Sequence, residues 1–306
     1  MSAVKNYLSL IKFSHTIFAM PFAMIGFFLA VSGRQTGAVH SLNEAIGWNF
    51  LPPSAWLIKL LLVVLCMVFA RSAAMAFNRY LDREFDAANP RTAIREIPAG
   101  IISANRALLF TVGSSLLFVL TTWFINPLCF YLSPVALLVV LGYSYTKRFT
   151  ALCHLVLGLG LSLAPIGAYL ALTARFDPLP LFFSFAVVFW VSGFDIIYAL
   201  QDESFDRSQE LHSIPAALGG KKALRVSELL HLLSAACVVA AGVSGHFGWW
   251  YWLGVAVFAG MLVYQHSLVK PGDLSRVNIA FMTANGIASV VFAVLVIADL
   301  FLPHLF

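Results

Sequence analysis

Two short acidic motifs in this 306-residue chain have the spacing for chemistry. The first, NRYLDREFDAANPRTAIREIPAG from Asn78, sets Asp82 and Asp86 four residues apart. The second, YALQDESFDRSQELHSIPAALGG from Tyr198, does the same with Asp202 and Asp206. Carboxylates at i and i+4 lie on one helical face, one turn apart, and repel each other unless a cation sits between them. Magnesium takes oxygen ligands, keeps waters, and is typically held by one or two carboxylates plus substrate phosphates. Two such pairs facing one another would grip a metal–diphosphate. Either motif alone could equally be a solvated acidic helix end balanced by Arg79, Arg83 and Arg207. Two copies in one chain favour the shared site.

The same faces continue away from the motifs. Asp195, Tyr198, Asp202 and Asp206 fall at i, i+3, i+7 and i+11, and Arg71, Asn78 and Asp82 share a face in the same way. By helical rise Asp195 lies about 10 Å below Asp202. An ionisable group inside a membrane span is costly and marks a functional site by default. Arg71 and Asp195 are the two clearest cases, and a structural Arg71–Asp195 ion pair is the compatible alternative. Arg91, Arg95, Lys147, Arg148, Lys221 and Lys222 fall on the same side as the motifs. A departing diphosphate needs such cations, because negative charge builds on the leaving oxygen; the positive-inside rule accounts for many of them as well. The 27 Phe residues could line a pocket that stabilises a carbocation or simply be lipid-compatible bulk, and no single Phe is assigned a role. His15, His154 and His231 lie in or near spans without metal spacing and read as structural or interfacial. The four cysteines read as small hydrophobes in apolar stretches.

The elements that must carry these residues follow from composition. Sixty per cent of the residues are apolar and only 11% are charged, against roughly 45–50% and about 25% in soluble domains. That excludes a cytosolic globular enzyme, a disordered chain and a disulfide-stapled scaffold. It leaves an all-α integral membrane bundle. Apolar runs at roughly 13–33, 56–77, 107–125, 127–143, 150–173, 180–201, 226–245, 247–268 and 278–303 predict nine spans, with eight the alternative. The first run lacks a cleavage site and is expected to remain as a helix. Placing the N-terminus in the cytoplasm puts 15 of the 19 Lys and Arg residues on that side, so both acidic loops are expected there and the C-terminus outside. The net charge of +5 sits in short loops and sets orientation; it does not point to nucleic acid. Pro21, Pro134 and Pro165 fall inside spans, where neighbouring helices satisfy the freed carbonyls. Each motif carries Phe before its second Asp and then Ile-Pro-Ala, and the two lie four spans apart. This predicts one domain over 1–306 built from two similar halves, about 1–145 and 146–306.

Asn78-x-x-x-Asp82-x-x-x-Asp86 followed by Asp202-x-x-x-Asp206 resembles the paired signature of the UbiA superfamily of intramembrane aromatic prenyltransferases. SHTIFAMPFA, NPRTAIREIPAG, YSYTKRFT and GFDIIYALQDESFDRSQELHSIPAALG extend the resemblance over nearly the whole chain. It implies nine transmembrane helices around a central cavity, capped on the cytoplasmic side by the acidic loops, in a bacterial inner membrane. The implied substrates are a polyprenyl diphosphate and an aromatic acid, most simply 4-hydroxybenzoate. Asn78, Asp82, Asp86, Asp202 and Asp206 would then hold Mg2+ and diphosphate, Arg95 and Lys147 would contact the diphosphate, and Asp195 would lie near the acceptor with Tyr198. Arg71 as partner of the acceptor carboxylate rests on its position alone. Many members have Asn-Asp where this chain has Asn78-Arg79. That leaves two acceptors open: 4-hydroxybenzoate, for ubiquinone, or a dihydroxynaphthoate of the futalosine route to menaquinone. A secondary transporter is the alternative of another class, disfavoured because the acids gather at one face and not at the midplane.

Overall fold

The computed structural model describes residues 3–11, 19–33 and 55–302. Helices α1 (Ala3–Leu10), α2 (Met20–Ser32), α3 (Trp56–Leu81) and α4 (Arg83–Ala88) are followed by α5 (Ala104–Ile125), α6 (Pro127–Thr146), α7 (Cys153–Thr173) and α8 (Pro178–Ala199). A 3-10 turn, Leu200–Asp202, leads into α9 (Glu203–Ser208) and α10 (Ile214–Leu218). Then come α11 (Gly220–Ser244), α12 (Trp249–Leu268), a π-helical segment (Ile279–Ala284) and α13 (Asn285–Phe301). Among the described residues there is no named strand, and the only bridge is Lys270–Asp273.

Seven of these helices are long and apolar enough to cross a membrane: α3, α5, α6, α7, α8 with its continuation to Ser208, α11, and the π segment with α13. The expectation of nine spans is therefore met at seven. Helix α12 has 20 residues, but polar Gln265, His266 and Ser267 in its last turn make it less apolar. Helix α2 is 13 residues as described; the rest of the first expected span lies outside the described residues, as do His15, Lys12 and Arg34. Leu109, Leu116, Leu138, Leu232 and Val263 face outwards, exposed. A soluble bundle would bury such a belt, whereas lipid accepts it.

Local sequence sets the breaks. Asn126 ends α5 and caps α6, accepting the Cys129 N–H at 2.8 Å and donating to the Leu170 carbonyl at 2.8 Å. Pro127 follows in the first turn of α6, where its missing N–H costs nothing. Pro134 and Pro165 do lie inside helices, whereas Pro21 sits in the first turn of α2. Helix α11 starts six residues before the expected span, so Lys221, Lys222 and Arg225 are helical, not loop, residues.

Small residues let backbones approach, the usual device of membrane helix packing. A Cβ at Gly26 of α2 would stand 2.0 Å from the Pro165 carbonyl oxygen of α7. One at Gly158 of α7 would meet the Val188 carbonyl oxygen of α8 at 2.4 Å. One at Gly193 of α8 would run into the His231 ring of α11. Beside these contacts lies an aromatic core of Phe22, Phe183, Trp190, Phe258 and Phe292, drawn from α2, α8, α12 and α13. Helices α7 and α8 are fixed in this way, α3 and α6 pack beside α7, and the ends that carry the two acidic motifs lie on one side of the bundle.

Candidate active site

Those ends enclose a cavity of about 510 Å³. Ten residues picked out from the sequence line it: Arg71, Asn78, Asp82, Asp86, Arg95, Lys147, Asp195, Tyr198, Asp202 and Asp206; Lys221 and Lys222 are not in its lining. Both motifs bend the chain in the same way. Asp82 separates α3 from α4 with φ −91° and ψ 8°; Asp202 separates α8 from α9 with φ −106° and ψ 4°.

Neither pair is a solvated helix end. Asp206 is 0% exposed and Asp86 6%. Burying a carboxylate is tolerable only when it is paired, and here each one is. Asp82 accepts from Arg148 at 3.0 Å and from the Asn78 amide at 2.9 Å. Asp86 accepts from Arg95 at 2.6 Å, with Arg79 4.0 Å away. Asp202 takes a two-pronged contact from Arg91, Nε to Oδ1 at 3.0 Å and Nη2 to Oδ2, and a third bond from Asn89 at 3.2 Å. Asp206 meets Lys147 at 2.6 Å and accepts from Ser213 at 2.9 Å. The expected balancing by Arg83 and Arg207 does not occur: these residues reach Glu84 and Glu203 instead. Burial pushes the Asp82 carboxyl above its usual value, Arg148 opposes the rise, and neighbouring Asp86 adds to it.

About 10 Å deeper by helical rise lies a second polar level. The Arg71–Asp195 ion pair does not form there. Asp195 bonds instead to His154, Oδ2 to Nδ1 at 2.7 Å. Arg71 makes no hydrogen bond or ion pair among the described residues, and its Nε is buried without a partner. Tyr198 receives Arg91 at 3.3 Å through its hydroxyl, and its ring packs on Phe281 at 4.3 Å between centroids. Phe281 belongs to the π segment, whose irregular carbonyls are held by Asn285: its amide donates to the Phe281 carbonyl at 2.8 Å, and its Oδ1 accepts from Trp190 at 2.9 Å. π-bulges of this kind recur at functional sites.

Sequence reasoning missed three features. His154 was read as structural, yet it is a cavity wall and the partner of Asp195. Nothing in spacing ties residues 41 apart on different helices. Phe281 was one Phe among 27, and the π segment that presents it has no sequence signature. Arg91 and Arg148 were among the cations noted, but their assignment to Asp202 and Asp82 needed coordinates.

Five carboxylates and six Arg or Lys side chains therefore line one cavity. Such a near-balance admits a diphosphate together with divalent cations without leaving a large unpaired charge. The donor set fits a hard cation: carboxylate and amide oxygens, with Asp86 Oδ2 buried and lacking a hydrogen bond. Among the described residues the acids come as pairs, and no three His, Cys, Asp or Glu side chains converge on one point. Magnesium, which fills its shell with water and phosphate oxygens, suits paired carboxylates.

Comparison with known proteins places this arrangement. The model of the UbiA prenyltransferase family matches residues 19–287. The chain is 31% identical over 242 residues to the 4-hydroxybenzoate octaprenyltransferase of Nitrosomonas europaea, covering 79% of this chain and 82% of that protein. It is 34% identical over 239 residues to the 4-hydroxybenzoate octaprenyltransferase of Nitrosospira multiformis, covering 78% and 82%. The apo structure of a UbiA homologue from Aeropyrum pernix superposes with a TM-score of 0.76 at 30% identity, over 93% of this chain and 98% of that one. A UbiA homologue from Archaeoglobus fulgidus bound to GPP and Mg2+ shares the fold, with a TM-score of 0.69 at 19% identity over 96% and 99%.

Proposed function

This chain belongs to the UbiA prenyltransferase family and is an integral membrane prenyltransferase; on that premise we propose that it moves a polyprenyl group from its diphosphate to the ring of 4-hydroxybenzoate, with Mg2+, in respiratory quinone biosynthesis. The observation that carries the reading is the convergence of Asp82, Asp86, Asp202 and Asp206 with Arg91, Arg95, Lys147 and Arg148 on one cavity.

Asn78, Asp82, Asp86, Asp202 and Asp206 would hold the metal together with the diphosphate. When bound, Mg2+ neutralises the phosphate oxygens and makes diphosphate a better leaving group. Arg95 and Lys147, with Arg91 and Arg148 beside them, exchange carboxylate partners for diphosphate oxygens. As the allylic C–O bond breaks, the electron pair leaves with diphosphate and an allylic cation remains. Leu157, Leu161, Val191 and Phe194 keep water away from it, and the Tyr198 and Phe281 ring faces stabilise it. Arg71, whose Nε lacks a partner, takes the acceptor carboxylate. The acceptor hydroxyl lies towards Asp195. The ring carbon ortho to that hydroxyl attacks the cation, and its proton is lost afterwards. The prenyl tail runs along apolar helices toward lipid.

The charge distribution supports an active side facing the cytoplasm, and the bacterial relatives support an inner-membrane location. Arg79, buried beside Asp86 where many members have Asp, keeps a dihydroxynaphthoate as the second acceptor. The test is an in vitro assay with purified protein, a polyprenyl diphosphate, and each acceptor in turn, with products identified by mass. Prenylated 4-hydroxybenzoate that disappears with EDTA and returns with Mg2+ is the expected result. Product from the dihydroxynaphthoate alone replaces the acceptor, and no product from either overturns the reading.

A further inference from the structure

His154 opens α7 as its second residue and is 3% exposed. Its two ring nitrogens reach different parts of the site. Nε2 lies 3.3 Å from the backbone N of Ile214, an N–H that can only donate. Nε2 is therefore the acceptor and carries no proton. The proton sits on Nδ1, which donates to Asp195 Oδ2 at 2.7 Å. The bond fixes the Asp195 carboxylate so that Oδ1, which makes no hydrogen bond among the described residues, is left for the cavity that Asp195 lines.

Ile214 is not an arbitrary anchor. It follows Ser213, whose hydroxyl donates to Asp206 and caps α10. The loop carrying the second acidic motif and the deep carboxylate are thus joined through one imidazole. We infer that His154 is a positioning residue for the acceptor. It holds Asp195 with Oδ1 towards the acceptor hydroxyl, and through Ile214 and Ser213 it ties that placement to the loop that carries Asp206. No covalent step passes through His154. This inference rests on the proposed aromatic-acid acceptor and names how the chain sets the group that receives it.

The test uses the full-length protein in detergent or vesicles with 4-hydroxybenzoate and a polyprenyl diphosphate. His154→Phe keeps a ring but removes both hydrogen bonds. His154→Asn puts an amide nitrogen where Nδ1 stands and keeps the donor to Asp195. We expect His154→Phe to lower kcat/KM for the aromatic acid on the order of 10- to 100-fold, the size of a hydrogen bond to a charged group. KM for the prenyl diphosphate at saturating acceptor should change less than about threefold, and His154→Asn should recover most of the loss. A merely structural histidine would lower both substrates' parameters together and would not be rescued by Asn. Wild-type-like kinetics in His154→Phe, a loss shared equally by both substrates, or an Asn variant as poor as Phe overturns the inference. Wild-type protein that transfers to no hydroxylated aromatic acid refutes the underlying reading, and the inference falls with it; the two failures are distinguished by the wild-type control.

Discussion

Replacing Asp202 by Asn separates catalysis from packing, because Asp202 has few structural duties: it accepts from Asn89 at 3.2 Å and pairs with Arg91. In the contact with Arg91 the Asp202 side chain is 14% exposed and that of Arg91 32%. Hydrogen bonds to charged groups contribute about 1.5–3 kcal/mol when sheltered. A guanidinium one-third open to solvent sits nearer the surface value of about 1 kcal/mol or less. Asn keeps the shape and can still accept one bond, so the stability cost should be no more than about 1 kcal/mol. The catalytic cost is larger. Removing one group that stabilises developing charge typically lowers kcat by about 100- to 1,000-fold, roughly 2.7–4 kcal/mol. Arg91→Met breaks the same ion pair from the other side and so controls for melting, although it also removes a cation from the diphosphate site. The assay is product formation by purified wild type, Asp202→Asn and Arg91→Met over a Mg2+ titration, with thermal unfolding of each in parallel. The expected pattern is similar melting for both variants and transfer in Asp202→Asn at least tenfold below that of wild type. Asp202→Asn within tenfold of wild type, or a loss in kcat that simply tracks a large drop in melting temperature, would refute the reasoning.

Arg71→Leu should raise KM for 4-hydroxybenzoate by about 10- to 100-fold while leaving KM for the prenyl diphosphate alone, because only the acceptor carboxylate is assigned to it; a phenol lacking that carboxylate should lose the difference. Gly26→Ala should lower thermal stability by about 1–3 kcal/mol, since the new Cβ would stand 2.0 Å from a Pro165 backbone oxygen that cannot rotate away; unchanged melting would deny the α2–α7 contact. Asn285→Leu should cost about 2–4 kcal/mol in melting and also depress transfer, because it strips the partners of Trp190 and of the carbonyls behind Phe281. Full activity in that variant would show that the π segment does not set the cavity wall.

The sequence alone determined the class of molecule and picked out charged residues that gather at its centre. Sixty per cent apolar residues in long runs admit only membrane helices, because backbone groups in lipid must be satisfied within the element. Spacing of four residues within each motif, and of seven from Asp195 to Asp202 and from Arg71 to Asn78, follows the helical repeat. These local rules group Arg71, Asn78, Asp82 and Asp86, and Asp195, Tyr198, Asp202 and Asp206; Arg95 and Lys147, outside that periodicity, line the same cavity. Partner choice could not be read in the same way. Which cation serves which carboxylate depends on the approach of α3, α6, α7 and α8, and the approach of α7 to α8 and α2 is set by Gly158 and Gly26. Asp195 turned to His154 and not to Arg71 because α7, not α3, presents a buried donor at 2.7 Å. Periodicity places a side chain on a face of its own helix; only the packing of one helix against another decides what that face meets.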